Sequence, residues 1–195
     1  MTAARHLRKR LGAAAIAVAA GALFAGPAPA AELARDHVVT IAELRHADPE
    51  LEALLPTTLG GIALTIESQA GTDLSTTSGP FDTFLEGLGK SRADFTLASA
   101  YARGGDLKAE VGAWRVDGAD TAMLLPSFEA VMQASSTTPL TITEETIAGR
   151  AVTRIGDPGQ LTRGPLYVIV RGDMLLFVQT PEPALADEAM SKLPA

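Results

Sequence analysis

The apolar positions of the chain change their spacing several times, and each change predicts an element. Phe81, Phe84, Leu85 and Leu88 fall at i, i+3, i+4 and i+7, one face of a helix over residues 81–89 that Gly89 would cap. Residues 121–134 predict the longest helix, with Met123, Leu124, Phe128, Val131 and Met132 on its apolar face. Pro126 either falls in its first turn or kinks it. Shorter helical patterns cover residues 39–45, 49–55 and 183–193.

Between the helices the pattern shortens to strands. One runs over residues 61–68 after a Gly60-Gly61 turn. Residues 94–103 and 107–117 form a pair closed by Gly104-Gly105-Asp106, with Phe95, Leu97, Val111, Ala113 and Val116 as core positions. Residues 140–145 and 150–155 turn at Ala148-Gly149; residues 166–170 and 174–180 turn at Arg171-Gly172-Asp173. Strand and helix do not alternate regularly. The expectation is therefore an α+β fold, an antiparallel sheet with helices packed on one face.

An eight-residue segment recurs. Thr58-Leu59-Gly60-Gly61-Ile62-Ala63-Leu64-Thr65 aligns without a gap on Thr146-Ile147-Ala148-Gly149-Arg150-Ala151-Val152-Thr153. We therefore expect a single domain over residues 56–195, with residues 31–55 as a lead-in and an internal repeat of 56–134 and 140–194. A groove between the two halves would be the default ligand site.

The first thirty residues change the picture of where this domain works. Arg5, Arg8, Lys9 and Arg10 precede an apolar run from Leu11 to Gly26, which ends in Pro27-Ala28-Pro29-Ala30. These are the parts of a cleavable signal peptide over residues 1–30, cut after Ala30, and they predict a secreted or periplasmic protein. The run is short for a hydrocarbon core that needs about 20 residues, so no membrane span is expected after cleavage. Loss of four of the 16 basic residues leaves 12 against 23 acidic ones, a balance of −11. That charge argues against nucleic acid as a partner. The chain has no cysteine, so packing rather than disulfides must hold an exported domain together.

Candidate chemistry is sparse. No nucleophile elbow, phosphate loop or His-Glu-x-x-His motif occurs, so no catalytic, cofactor-binding or metal-ligating residue is assigned and no cofactor is expected. After cleavage only His37 and His46 remain for a triad or a metal site. Glu144 and Glu145 are neighbours on a strand and point to opposite faces. Asp120 suits the N-cap of the long helix. Arg171-Gly172-Asp173 reads as hairpin closure, with Gly at positive φ and Asp in the left-handed region. Trp114 reads as core; it and Tyr101 are the candidate stacking surfaces.

Leu55-Pro56-Thr57-Thr58-Leu59-Gly60-Gly61-Ile62-Ala63-Leu64, then Gly87-Leu88-Gly89-Lys90 with Asp94-Phe95, then Trp114-Arg115-Val116-Asp117-Gly118-Ala119-Asp120, resembles a pattern of uncharacterised exported bacterial proteins. The resemblance spans most of the mature chain and implies no activity. The sequence reads best as a non-catalytic binding or interaction domain for a small-molecule or protein ligand. The alternative is a carboxylate-dependent hydrolase of cell-envelope or sugar substrates, which needs two carboxyl groups about 5–9.5 Å apart. Intact-mass measurement of the exported protein should find it starting at Ala31; a secreted chain that keeps residues 1–30 would overturn the signal assignment.

Overall fold

The computed structural model describes residues 45–74, 79–103, 107–156 and 162–194. The expected signal peptide, nearly all of the helix expected at 39–45, and the turn expected at 104–106 lie outside the described residues.

The elements in chain order are α1 (Pro49–Glu52), β1 (Thr58–Leu59), β2 (Ile62–Ala63), β3 (Thr65–Ala70), α2 (Pro80–Gly87), β4 (Phe95–Tyr101), β5 (Glu110–Val116), α3 (Thr121–Ser135), β6 (Thr141–Ile147), β7 (Arg150–Gly156), β8 (Leu166–Arg171), β9 (Met174–Gln179) and α4 (Pro183–Lys192). β3 to β9 form a seven-stranded antiparallel sheet in the order β3-β4-β5-β9-β8-β7-β6, and β1 pairs with β2 alone. The fold is α+β, as the irregular alternation of elements implied.

The local signals act as their chemistry requires. Gly89, at φ 67°, ends α2: its N–H reaches Glu86 and that of Lys90 reaches Leu85, a Schellman cap. Asp120 caps α3 by accepting from the Ala122 N–H at 3.0 Å. Because α3 begins at Thr121, Pro126 lies inside the helix and not in its first turn. Pro126 is exposed and cannot donate to the Ala122 carbonyl one turn back. At the β8–β9 turn only Gly172 has positive φ (60°). Asp173 does not take the left-handed conformation expected of it. Its carboxylate instead accepts from the Gly118 N–H at 3.3 Å and its carbonyl from Val116, tying the turn to the β5–α3 connection.

Both faces of the sheet carry helices, which corrects the one-face expectation. The central strands have no polar face: Val111 and Ala113 of β5 point to one side while Trp114 and Val116 point to the other. β9 alternates likewise, with Leu176 and Val178 opposed to Leu175 and Phe177. Two apolar faces demand two covers. On the first, α1, the turn that follows it, β1 and α4 supply Leu51, Leu55, Leu59, Leu185, Ala189 and Met190. On the second, α2 and α3 supply Phe84, Leu85, Leu124, Phe128 and Val131. Leu51 and Leu55 thus bring the end of the supposed lead-in into the core.

The second face is built around Trp114. Its indole makes ring contacts with Phe81, Phe84, Phe95, Phe128 and Phe177 at centroid distances of 5.3–6.2 Å, most of them edge-to-face. Phe177 leans across Gly112, where a Cβ would meet its ring at 2.2 Å. Gly112→Ala should therefore cost about 1–3 kcal/mol in chemical denaturation. Phe177→Leu should relieve part of that cost, so the double variant should be less destabilised than the two single changes predict together.

Candidate functional site

The groove expected between the halves does not form. β5 and β9, the last strands of the two supposed repeats, pair along their length from Glu110–Gln179 to Arg115–Met174. A hydrogen-bonded ladder in the middle of the core leaves no cleft there. The recurring segments do share a geometry: Gly60-Gly61 has φ 58° and 75°, and Ala148-Gly149 has φ 51° and 75°. Each turn gives its first N–H to α4, Gly60 to Glu188 at 3.1 Å and Ala148 to Asp187 at 3.1 Å. The helices that follow β5 and β9 nevertheless lie on opposite faces, so the likeness shown is one of strands and turns.

His46 meets a serine and a carboxylate, but in the wrong order for nucleophilic catalysis. Glu52 stands in the middle: it accepts from Ser68 Oγ at 2.6 Å and bonds His46 Nδ1 at 2.8 Å. Ser68 is fully buried, and its oxygen also accepts from the Asp48 N–H at 2.7 Å. A triad needs the imidazole between the hydroxyl and the acid. Arg115 Nη1 completes the cluster on Asp48 at 2.6 Å, and Asp48 caps α1. With residues 45–47 bridged to Ser68, the cluster clasps the N-terminal segment to the outer edge of β3. His37 lies outside the described residues.

The second face holds a more telling group. Along β4 and β5 the aromatic half gives way to polar residues in two adjacent rows. Glu67 of β3 lies opposite Ser99 of β4, which lies opposite Gly112. One step along, Tyr101 lies opposite Glu110 of β5, and Glu110 opposite Gln179 of β9. Glu67 is only 8% exposed, and its Oε1 has no hydrogen-bond partner among the described residues. A buried carboxylate oxygen without a donor is costly, and such orphans ask for an explanation.

The charges around this group are perturbed by its burial. The Tyr101 phenol is pushed above its ordinary value, first by burial and then by the Glu67 carboxylate, with Arg103 opposing. Burial likewise raises Glu110, against the weaker pull of Arg163. Arg163 precedes Gly164 in the connection between β7 and β8. Gly164, at φ 74°, lies so close to the Thr180–Pro181 backbone that a Cβ would meet it at 2.3 Å. Sequence reading named Tyr101 but missed Glu67 and Glu110. The signal available was at Glu110, a glutamate on the strand face it shares with Trp114 and Val116; Glu67 shares its face with Thr65 and Gln69 and stood out in no way.

The other carboxylates divide as expected or serve structure. Glu144 accepts from Thr153 on the second face, whereas Glu145 pairs with Arg154 at 3.7 Å. Burial and then Glu144 raise the carboxyl of Glu129 on α3. Trp114 is core, and Arg171 to Asp173 form the docked turn described above. Among the described residues no group of three or more His, Cys, Asp or Glu could hold a metal ion.

Glu110 makes a pH prediction. Its folded pKa lies above the unfolded value, so ionisation is disfavoured in the native state and stability falls as pH rises from below the unfolded pKa through the folded one. Glu110→Gln should therefore stabilise the protein at pH 7 and leave it nearly unchanged near pH 3.5; an equal effect at both pH values would contradict the assignment. Comparison with protein families, with characterised proteins and with solved structures finds no match, so the site is read from its own geometry.

Proposed function

We propose that this is an exported, soluble, non-catalytic binding domain whose ligand site is the polar end of the second face, around Glu67, Ser99, Tyr101 and Glu110. The observation that carries the reading is the buried, partnerless Oε1 of Glu67. A donor that reached it would recover part of the desolvation spent on the carboxylate, which otherwise takes a hydrogen bond from the Tyr101 hydroxyl. The net charge argues against nucleic acid as the ligand. Among the described residues no helix is long and apolar enough to cross a membrane.

A second reading, the carboxylate-dependent hydrolase, is favoured by one observation. Burial raises the carboxyl of Glu129 and the nearby Glu144 raises it further, so two carboxyl groups stand together as such enzymes require. The two readings separate in one pair of experiments. Native mass spectrometry of protein purified from an exporting cell should find a small molecule bound to the wild type and absent from Glu67→Gln. Turnover of a chromogenic glycoside or of cell-wall fragments that is lost in both Glu129→Gln and Glu144→Gln would instead establish the hydrolase and overturn the binding reading.

A further inference from the structure

We infer that the outer edge of β6 is a docking strand that takes an extended, basic segment of another protein as an eighth strand of the sheet. This edge is the far end of the sheet from Glu67, so the inference is independent of the binding reading above. β6 is Thr-Ile-Thr-Glu-Glu-Thr-Ile, without proline, glycine or lysine, and Thr141 to Thr146 are all exposed. The turn at Ala148-Gly149 has two residues, so Ile147 and Arg150 exchange both ladder hydrogen bonds. By alternation Glu145 does so with Val152 and Thr143 with Arg154. The N–H and C=O groups of Ile142, Glu144 and Thr146 therefore point away from β7, and none of them has a backbone partner among the described residues.

The opposite edge is closed. Residues 45–47 lie along β3, where the Ser68 N–H donates to the Arg45 carbonyl at 2.9 Å and the Ala47 N–H donates to the Ser68 carbonyl at 3.3 Å. An uncovered edge is a template for another strand unless bulges, prolines or lysines blunt it. β6 has none of these, and its register runs unbroken from Thr141–Gly156 to Ile147–Arg150.

Charge selects the occupant. Ile142, Glu144 and Thr146 share a face with Thr153 and Ile155, the face on which α3 brings Glu129 near Glu144. Neither Glu129 nor Glu144 forms an ion pair among the described residues, whereas Glu145 on the other face already has Arg154. A strand with lysine or arginine opposite Glu144 brings a cation to both carboxylates. A second copy of β6 is a poor occupant, because the register that pairs the strand along its whole length sets Glu144 against Glu144. Every ladder of the sheet is antiparallel. In that direction the residue two places after the cation meets the exposed Ile142 and should be apolar.

The probe is the acetylated, amidated peptide Ser-Thr-Thr-Lys-Thr-Val-Ser, titrated into the protein with amide hydrogen exchange followed by NMR. Saturating peptide should slow exchange at Ile142, Glu144 and Thr146 on the order of tenfold, and change little at Thr143 and Glu145, which already bond β7. Glutamate in place of the peptide lysine should weaken binding roughly tenfold or more. Methylating the lysine N–H, which faces β6, should abolish binding; methylating that of the following threonine, which faces away, should not. Thr146→Pro removes an outward N–H and no bond to β7, so it should fold and bind roughly tenfold more weakly, while Thr146→Ala should bind as the wild type does. No binding at millimolar peptide, equal affinity for the lysine and glutamate peptides, or binding without protection of the three amides overturns the inference. A dimer in sedimentation that Thr146→Pro dissolves would give the edge to a second copy and overturn it as well.

Discussion

The indole of Trp114 touches rings from two helices and from both strands that flank its own. Phe81 and Phe84 come from α2, Phe128 from α3, Phe95 from β4 and Phe177 from β9. A chain with no cysteine has only packing to hold it, and one side chain joins most of the packing on this face. Burying an indole and five phenyl rings removes several hundred Å² of apolar surface from water, at roughly 25 cal/mol per Å².

The same cluster explains why the polar residues lie where they do. Rings fill the end of the sheet marked by Phe95, Trp114 and Val116, and Gly112 yields its side-chain space to Phe177. Beyond that point the face carries Ser99, Tyr101, Glu67 and Glu110, groups that a dry aromatic core would not tolerate. The first face handles its polar residues differently. There Ser68, Glu52, Asp48, Arg115 and His46 satisfy one another and close the sheet edge. One face spends its polar groups on structure, and the other leaves a carboxylate oxygen unused.

The recurring eight-residue segment has a physical meaning whatever its history. Both copies must reverse direction in two residues with positive φ, which selects Gly at Gly61 and Gly149. Both then present Leu64 or Val152 to the first face, where α4 packs. Asp187 and Glu188, adjacent on α4, receive the two turns. What the segments share is therefore a common demand for a tight turn against one helix.

Much of the fold was legible because it depends on local chemistry. Several helix periods, the Gly89 and Asp120 caps and the turns at Ala148-Gly149 and Gly172 are decided within a few residues of chain, and these formed where their residues indicated. The strand Gly61 to Ser68 was read as one and is two, because the Leu64 N–H turns to Thr57 and interrupts it. Strand order, the helices on both faces and the absence of a central groove depend on pairings such as Glu110 with Gln179, 69 residues apart, which no local pattern encodes. The site was hidden for the same reason. Glu67, Tyr101 and Glu110 look like ordinary strand residues one at a time, and only the register of three strands sets two carboxyl groups around two hydroxyls on a buried face.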